Sequence, residues 1–307
     1  MKAIHGIEKD LPVLILSDGR KGHLNQSVAL AKHLGMEYQI EEIHFRCRWM
    51  KGLSYLLDRM GIYTGKLFDA PLPEGDFSMA VAAGSGTYYA LKVLSSISGL
   101  RTVSMMYPRG YRPDFDVVFV QSHDAHAACG IEAIEIPVNF SYPERQWLYK
   151  PKKRAIAVVI GGPNGRLAMP VHLIRSAMDA VFDRYRDCEI ALSTSPRTPA
   201  EIEELLDAYD FDYRVLYSKN PVNPIPDFLY ECETVFITED STSMISEAVS
   251  AGKCCVEVIV LESDGSSKFS RLSTMLEMGG YLHRFDGDTE CARRKVDLSS
   301  YARKALE

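Results

Sequence analysis

Residues 155–165 read AIAVVIGGPNG. An unbroken apolar run ends in a turn rich in glycine, with proline and asparagine beside it. That combination describes a strand buried on both faces, followed by a tight loop with exposed amides. A strand with one wet face would alternate apolar and polar residues, so the unbroken run points to a parallel sheet covered on both sides by helices. Helical spacing follows over about 170–185. Glu189–Ser193 is a strand, Pro199–Ala208 a helix and Arg214–Tyr217 a strand. Thr234–Thr238 and Cys254–Leu261 are strands flanking a helix at Thr242–Ser250. Strand and helix alternate throughout, which is the pattern of an α/β unit.

The same plan precedes this stretch. Pro12–Ser17 (PVLILS) is a buried strand, followed by a glycine-containing loop and a helix from Asn25 to Leu34. Further strands lie at Tyr38–Ile43, Ser78–Ala83, Arg101–Met106 and Asp116–Gln121. Around Tyr142–Arg154 the composition shifts to prolines, aromatics and the cluster Lys150, Lys152, Lys153 and Arg154, which reads as a linker. The chain is therefore expected to form two Rossmann-like domains, 1–150 and 151–285. A polar helical tail, 286–307, is free to pack back on the first domain.

The 307 residues suit two domains of ordinary size, and 46% apolar with 25% charged residues is the composition of a packed globular protein. A formal charge of −6 argues against nucleic acid as a partner. No apolar stretch is long enough to span a membrane, and residues 1–11 carry too many charges for a signal peptide. Seven cysteines without a CxxC pair predict neither a disulfide framework nor a zinc site, and a cytoplasmic location follows. Cys254 and Cys255 lie in an apolar run and read as small core residues.

In parallel sheets ligands bind beyond the carboxyl ends of the strands, and four loops stand there. Ser17–His23 (SDGRKGH) offers turn-forming glycines, including Gly22, and a histidine able to act as a base; His23 is the first candidate. Gly84–Thr87 (GSGT) opens another helix. Gly161, Gly162, Asn164 and Gly165 form a candidate phosphate nest. Ser241 and Thr242 open a helix whose N-terminus suits a diphosphate, and Glu247, nearly two turns on, is placed to accept hydrogen bonds from two ribose hydroxyls. Each loop taken alone also reads as an ordinary strand-to-helix turn.

Taken together, the four loops resemble those of inverting GT-B glycosyltransferases, in particular the lipid-II-forming N-acetylglucosaminyltransferase of peptidoglycan synthesis. The loop ending in Gly22-His23, the turn Gly84–Gly86, the Gly161–Gly165 turn, and Ser241 with Ser246-Glu247 and Gly252 agree in order and spacing. The stretches GHLNQ (22–26), FDVVFVQSHD (115–124), SPRTP (195–199) and TEDSTSMISE (238–247) are similar to the family of the plant "elongated mitochondria" fission protein and its bacterial relatives. Residues 12–260 carry the resemblance. Asp18 and Arg20-Lys21 replace small residues of the transferase, and Pro196 stands where a second arginine is expected.

The resemblance implies a GT-B fold and an inverting, metal-independent transfer from a nucleotide-diphospho-sugar, a UDP-sugar by preference. The sugar nucleotide is then a substrate, and no cofactor is implied. It also singles out His123 and Asp124 for a base or acceptor-contact role. His123 and His126 have metal-like spacing but lack a third ligand. Ser195, Arg197 and Thr198 follow a strand end, where Arg197 suits a donor phosphate. A non-catalytic scaffold on the same fold and a nucleotide-sugar epimerase are the competing readings.

One segment has a second aspect. Trp49, Leu53, Leu56, Leu57 and Met60 share one helical face, bordered by Arg46, Arg48, Lys51, Arg59 and Lys66. Such a face is expected to cover the sheet. The alternative is peripheral contact with an anionic membrane surface, which would suit a lipid-linked acceptor.

Overall fold

Glycine, proline and short polar residues cut the apolar runs of the two main sheets into strands of three to six residues, most of them followed by a helix. The computed structural model describes residues 10–122, 132–164, 167–263 and 267–307. Its contacts divide it into two units, Met1–Tyr142 with Asp297–Glu307, and Pro143–Val296.

The first unit contains β1 (Val13–Ser17), α1 (Lys21–Leu34), β2 (Tyr38–Glu42), α2 (Arg48–Met60), β3 (Met79–Ala82), α3 (Tyr88–Ser98), β4 (Thr102–Ser104), β5 (Val117–Gln121) and β6 (Ile134–Ile136). Its sheet runs β2-β1-β3-β4-β5-β6 with every pair parallel. β1 and β3 are buried along their whole length, as unbroken apolar runs require.

The second unit contains β7 (Ala155–Ile160), β8 (Leu167–Ala168), α4 (Val171–Arg184), β9 (Glu189–Thr194), α5 (Ala200–Asp207), β10 (Tyr213–Val215), α6 (Ile225–Glu231), β11 (Thr234–Thr238), α7 (Thr242–Ser250), β12 (Cys255–Ile259), β13 (Glu262–Ser263), α8 (Lys268–Met278) and β14 (His283–Phe285). The main sheet is again parallel, in the order β10-β9-β7-β11-β12-β14. β8 and β13 form a separate antiparallel ribbon. The chain then returns to the first unit, where α9 (Leu298–Arg303) packs on α1 and Ser299 Oγ lies 3.0 Å from His33 Nδ1. In each sheet the strand order reverses beside the first strand, between β1 and β3 and between β7 and β11. Crevices beyond such reversal points are where open α/β sheets bind ligands.

The segment 143–150, read from composition as linker, belongs to the second unit. Asp227 on α6 is fully buried, and its carboxylate accepts the backbone N–H groups of Gln146, Trp147, Leu148 and Tyr149 at 2.6–3.3 Å. That nest holds Trp147 at φ 58°, a left-handed conformation costly for a bulky side chain.

Two expectations are overturned. Most of the apolar stripe of α2 does not cover the sheet: of its five residues, Leu57 packs against the core and the other four face outward. The helix buries Ser54 and Asp58, while Trp49, Leu56 and Met60 are 86%, 56% and 62% exposed. The polar side wins because it is fully satisfied inside: Asp58 accepts Lys92 Nζ at 2.6 Å and the Arg112 amide at 2.7 Å, and Ser54 Oγ meets Tyr111 Oη at 2.8 Å. Cys255, in turn, is not a free core thiol. Its sulfur is bonded to that of Cys291, 36 residues on, while Cys254 stays a buried thiol.

Candidate functional site

In the second unit, the loops after β7, β9 and β11 are tied together by one carboxylate. Asp240 stands two residues beyond the end of β11 and is buried. Its Oδ2 accepts the Gly162 amide at 3.1 Å and Arg197 Nη2 at 2.6 Å, and its Oδ1 accepts the Thr238 hydroxyl at 2.7 Å. Thr238 Oγ1 in turn accepts the Gly161 amide at 2.7 Å. Thr198 Oγ1 donates to the Gly161 carbonyl at 2.6 Å and accepts the Ser195 amide at 2.8 Å. Asn164 Nδ2 donates to the Asp240 carbonyl at 3.3 Å. The glycines are needed for this closeness: a Cβ on Gly161 would lie 2.2 Å from the Asp240 carboxylate oxygens, and one on Gly162 would lie 2.0 Å from the Arg197 carbonyl oxygen.

These loops surround the N-terminus of α7. Ser241 caps it, accepting the Met244 amide on Oγ at 3.3 Å, and a helix N-terminus carries outward amides and partial positive charge. Thr242 opens the first turn. Glu247 sits further down α7, half-buried, and desolvation pushes its carboxyl up to about 7. No residue among those described offers it a hydrogen bond or an opposite charge. A partly desolvated carboxylate without a partner costs the fold stability, and a perturbed group of this kind makes its surroundings a candidate binding site.

In the first unit, the loop after β1 carries an acid–imidazole pair. His23 Nδ1 lies 3.1 Å from both carboxylate oxygens of Asp18. The pair rests on the turn after β3: a Cβ on Gly84, at φ 91°, would lie 2.4 Å from His23 Nδ1, and one on Gly86 would lie 2.9 Å from Asp18 Cβ. Gly84 and Gly86 thus make room for His23 and Asp18. A carboxylate on Nδ1 fixes the tautomer that leaves the Nε2 lone pair outward, the arrangement of a general base. Gly22 lies in the first turn of α1 with open space beside it.

The structure thus gathers Gly161, Gly162, Asn164, Ser195, Arg197, Thr198 and Ser241 around Asp240, with Thr242 and Glu247 on the adjoining helix. Arg197 is turned onto Asp240 and the Gly162 carbonyl. His123, Asp124, His126 and Gly165 lie outside the described residues. Sequence reading missed Asp18 as partner of His23, and Thr238 and Asp240 as the clasp of the three loops. The available signal was an acid within two residues of a buried strand end, Asp18 in SDG and Asp240 in TED. Among the described residues no group of acids, cysteines and histidines is arranged to hold a metal ion.

Comparison with known proteins agrees with this architecture. A Listeria monocytogenes structure assigned as a UDP-N-acetylglucosamine 2-epimerase superposes with a TM-score of 0.52 at 12% identity, over 97% of this chain and 87% of that one. A glycosyltransferase of kitacinnamycin superposes at 0.50 with 12% identity, over 97% and 91%. These likenesses establish a two-unit GT-B fold. An uncharacterized protein of Rickettsia prowazekii is 24% identical over 289 residues, 78% of this chain and 81% of that one. Residues 21–307 match the family model described as mitochondrial fission ELM1, and the chain belongs to that family.

Proposed function

We propose that this chain is an inverting, metal-independent glycosyltransferase that takes its sugar from a nucleotide-diphospho-sugar, a UDP-sugar by preference. The observation that carries the reading is Glu247: a half-buried carboxylate with no described partner and a raised pKa, on the helix whose N-terminus stands at the strand-order reversal of the second sheet. Two ribose hydroxyls are the complement it lacks. The diphosphate belongs at the first turn of α7, beside Ser241, Thr242 and the Gly161–Asn164 loop, where helix amides neutralise charge as it develops.

The first unit provides the base. His23 Nε2 takes the proton of an acceptor hydroxyl as its oxygen attacks the anomeric carbon. The bond from that carbon to the diphosphate oxygen breaks, and the nucleoside diphosphate leaves with both electrons. Asp18 holds His23 in the required tautomer and stabilises the imidazolium that forms.

The outward face of α2 supports a lipid-linked acceptor and peripheral membrane contact. Trp49, Leu53, Leu56 and Met60 are exposed, and Arg48 and Arg59 lie on the same helix, which is the make-up of an interfacial helix.

A thermal-shift screen of UDP-, GDP-, ADP- and CMP-sugars tests the donor assignment. A UDP-sugar is expected to stabilise the protein, and Glu247→Ala to abolish the effect. Flat responses to all four, or a shift that survives Glu247→Ala, contradict it.

A further inference from the structure

The Cys255–Cys291 bond lies at the other end of the second sheet from the proposed donor site. Cys255 begins β12 and is 3% exposed, whereas Cys291 is exposed in the segment leaving β14. Arg293 accompanies the pair: its Nε lies 2.9 Å from Cys291 Sγ and 3.3 Å from Cys255 Sγ. Arg293 also lines a cavity of about 590 Å³, with Lys153, Arg154, Lys253, Glu231 and Glu233 around it. The two acids are already matched, Glu231 by Arg145 and Glu233 by Arg154. No described acid pairs with Lys153 or Lys253, so the cavity is left with a positive excess beside a disulfide.

We propose that Cys255–Cys291 is an exchangeable redox site served by this cavity, and that its ligand is a small anionic thiol. The thiolate attacks the exposed Cys291 sulfur. The bond between the two cysteines breaks and Cys255 departs as thiolate, its charge met by Arg293 Nε. A second thiol then attacks the external sulfur of the mixed disulfide and releases Cys291 as a thiol. Two external thiols become one disulfide, and the protein gains two thiols; the electrons come from the external thiol. The segment that follows is tied to α7, where Lys295 Nζ donates to the Ala248 carbonyl at 2.6 Å and Val296 N to the Val249 carbonyl at 2.8 Å, and to β12 by the disulfide; reduction removes the second tie and loosens the first residues of the segment.

The test uses the full chain purified without reductant and stands apart from nucleotide binding. Non-reducing digestion is expected to yield a peptide pair joined through Cys255 and Cys291. Native protein is then exposed to glutathione, an anionic thiol, or to cysteamine, a cationic one, at equal thiolate concentration. Glutathione is expected to form the mixed disulfide on Cys291 roughly tenfold faster at low salt, and the advantage to vanish at about 1 M salt. Lys153→Glu with Lys253→Glu is expected to remove the advantage as well. Hydrogen exchange in 292–296 is expected to rise on reduction. Equal rates for the two thiols at low salt, attachment at Cys255, or reduction only after unfolding would overturn the proposal; all three are read on the unmodified protein.

Discussion

At the scale of single residues the proposed chemistry rests on Glu247 and His23, and both owe their character to neighbours. Burial raises the Glu247 carboxyl to about 7, so in the folded chain it holds its proton at pH values where the unfolded chain has released it. The unfolded state then binds fewer protons between about pH 4.5 and 7, and stability falls as pH rises through that window. Glu247→Gln is therefore expected to stabilise the free protein at pH 8 by on the order of 2 kcal/mol and by far less at pH 5, measured by denaturant melts at both values. Only the ionised carboxylate accepts from both ribose hydroxyls, so donor affinity is expected to tighten as pH rises from 6 to 8. An identical pH response in Glu247→Gln would sink that assignment. For the base, His23→Ala is expected to lower kcat by about 10²–10⁴ with little change in donor KM, and Asp18→Asn by roughly 10². Loss confined to KM would place the pair in binding. The identity and order of the site loops were legible in the sequence because glycine, a hydroxyl cap and a lone acid have narrow uses after a buried strand. The partnerships were not: nothing in the spacing of Asp18 or Asp240 reveals what lies across a turn or on a neighbouring strand.

Elements were read less evenly. Fully buried strands such as β1, β3, β7 and β11 announce themselves as unbroken apolar runs, and the structure places all four next to the reversal of strand order. The three-residue β6 and β14 carry no such run and went unseen. α2 was misjudged because periodicity tells which residues share a face, not which face is inside. Its polar side is held by the buried Asp58–Lys92 pair, 2.6 Å apart, and removing Lys92 leaves the buried acid with only the more distant Arg112 guanidinium, 3.8 Å away, as counter-charge. Lys92→Met is expected to cost about 3–5 kcal/mol in urea unfolding; a loss below about 1 kcal/mol would show that the pair does not anchor the helix. Leu56→Glu on the outward side is expected to change stability by less than about 0.5 kcal/mol while abolishing flotation with anionic vesicles. Unchanged flotation would remove α2 from the membrane reading. The Tyr142–Arg154 stretch shows a similar limit: its prolines and charges look like linker, yet Asp227 binds four of its amides and fastens it to α6.

At the scale of the whole molecule, two parallel six-stranded sheets each bring glycine-rich loops to their point of strand reversal, one holding an acid–imidazole pair and the other a helix N-terminus. That duplication was readable from the alternation of apolar runs and helical spacing, and it fixed the fold class before any side chain was placed. The disulfide was not, since an odd cysteine count with no CxxC pair gives no hint that residues 36 apart meet. The central claim concerns the mouth of α7, and a crystal structure of the full chain with UDP tests it most directly. Both ribose hydroxyls are expected on the Glu247 carboxylate, with the diphosphate at the first turn of α7. A ribose bound away from Glu247, or no nucleotide there at saturating UDP, would contradict it.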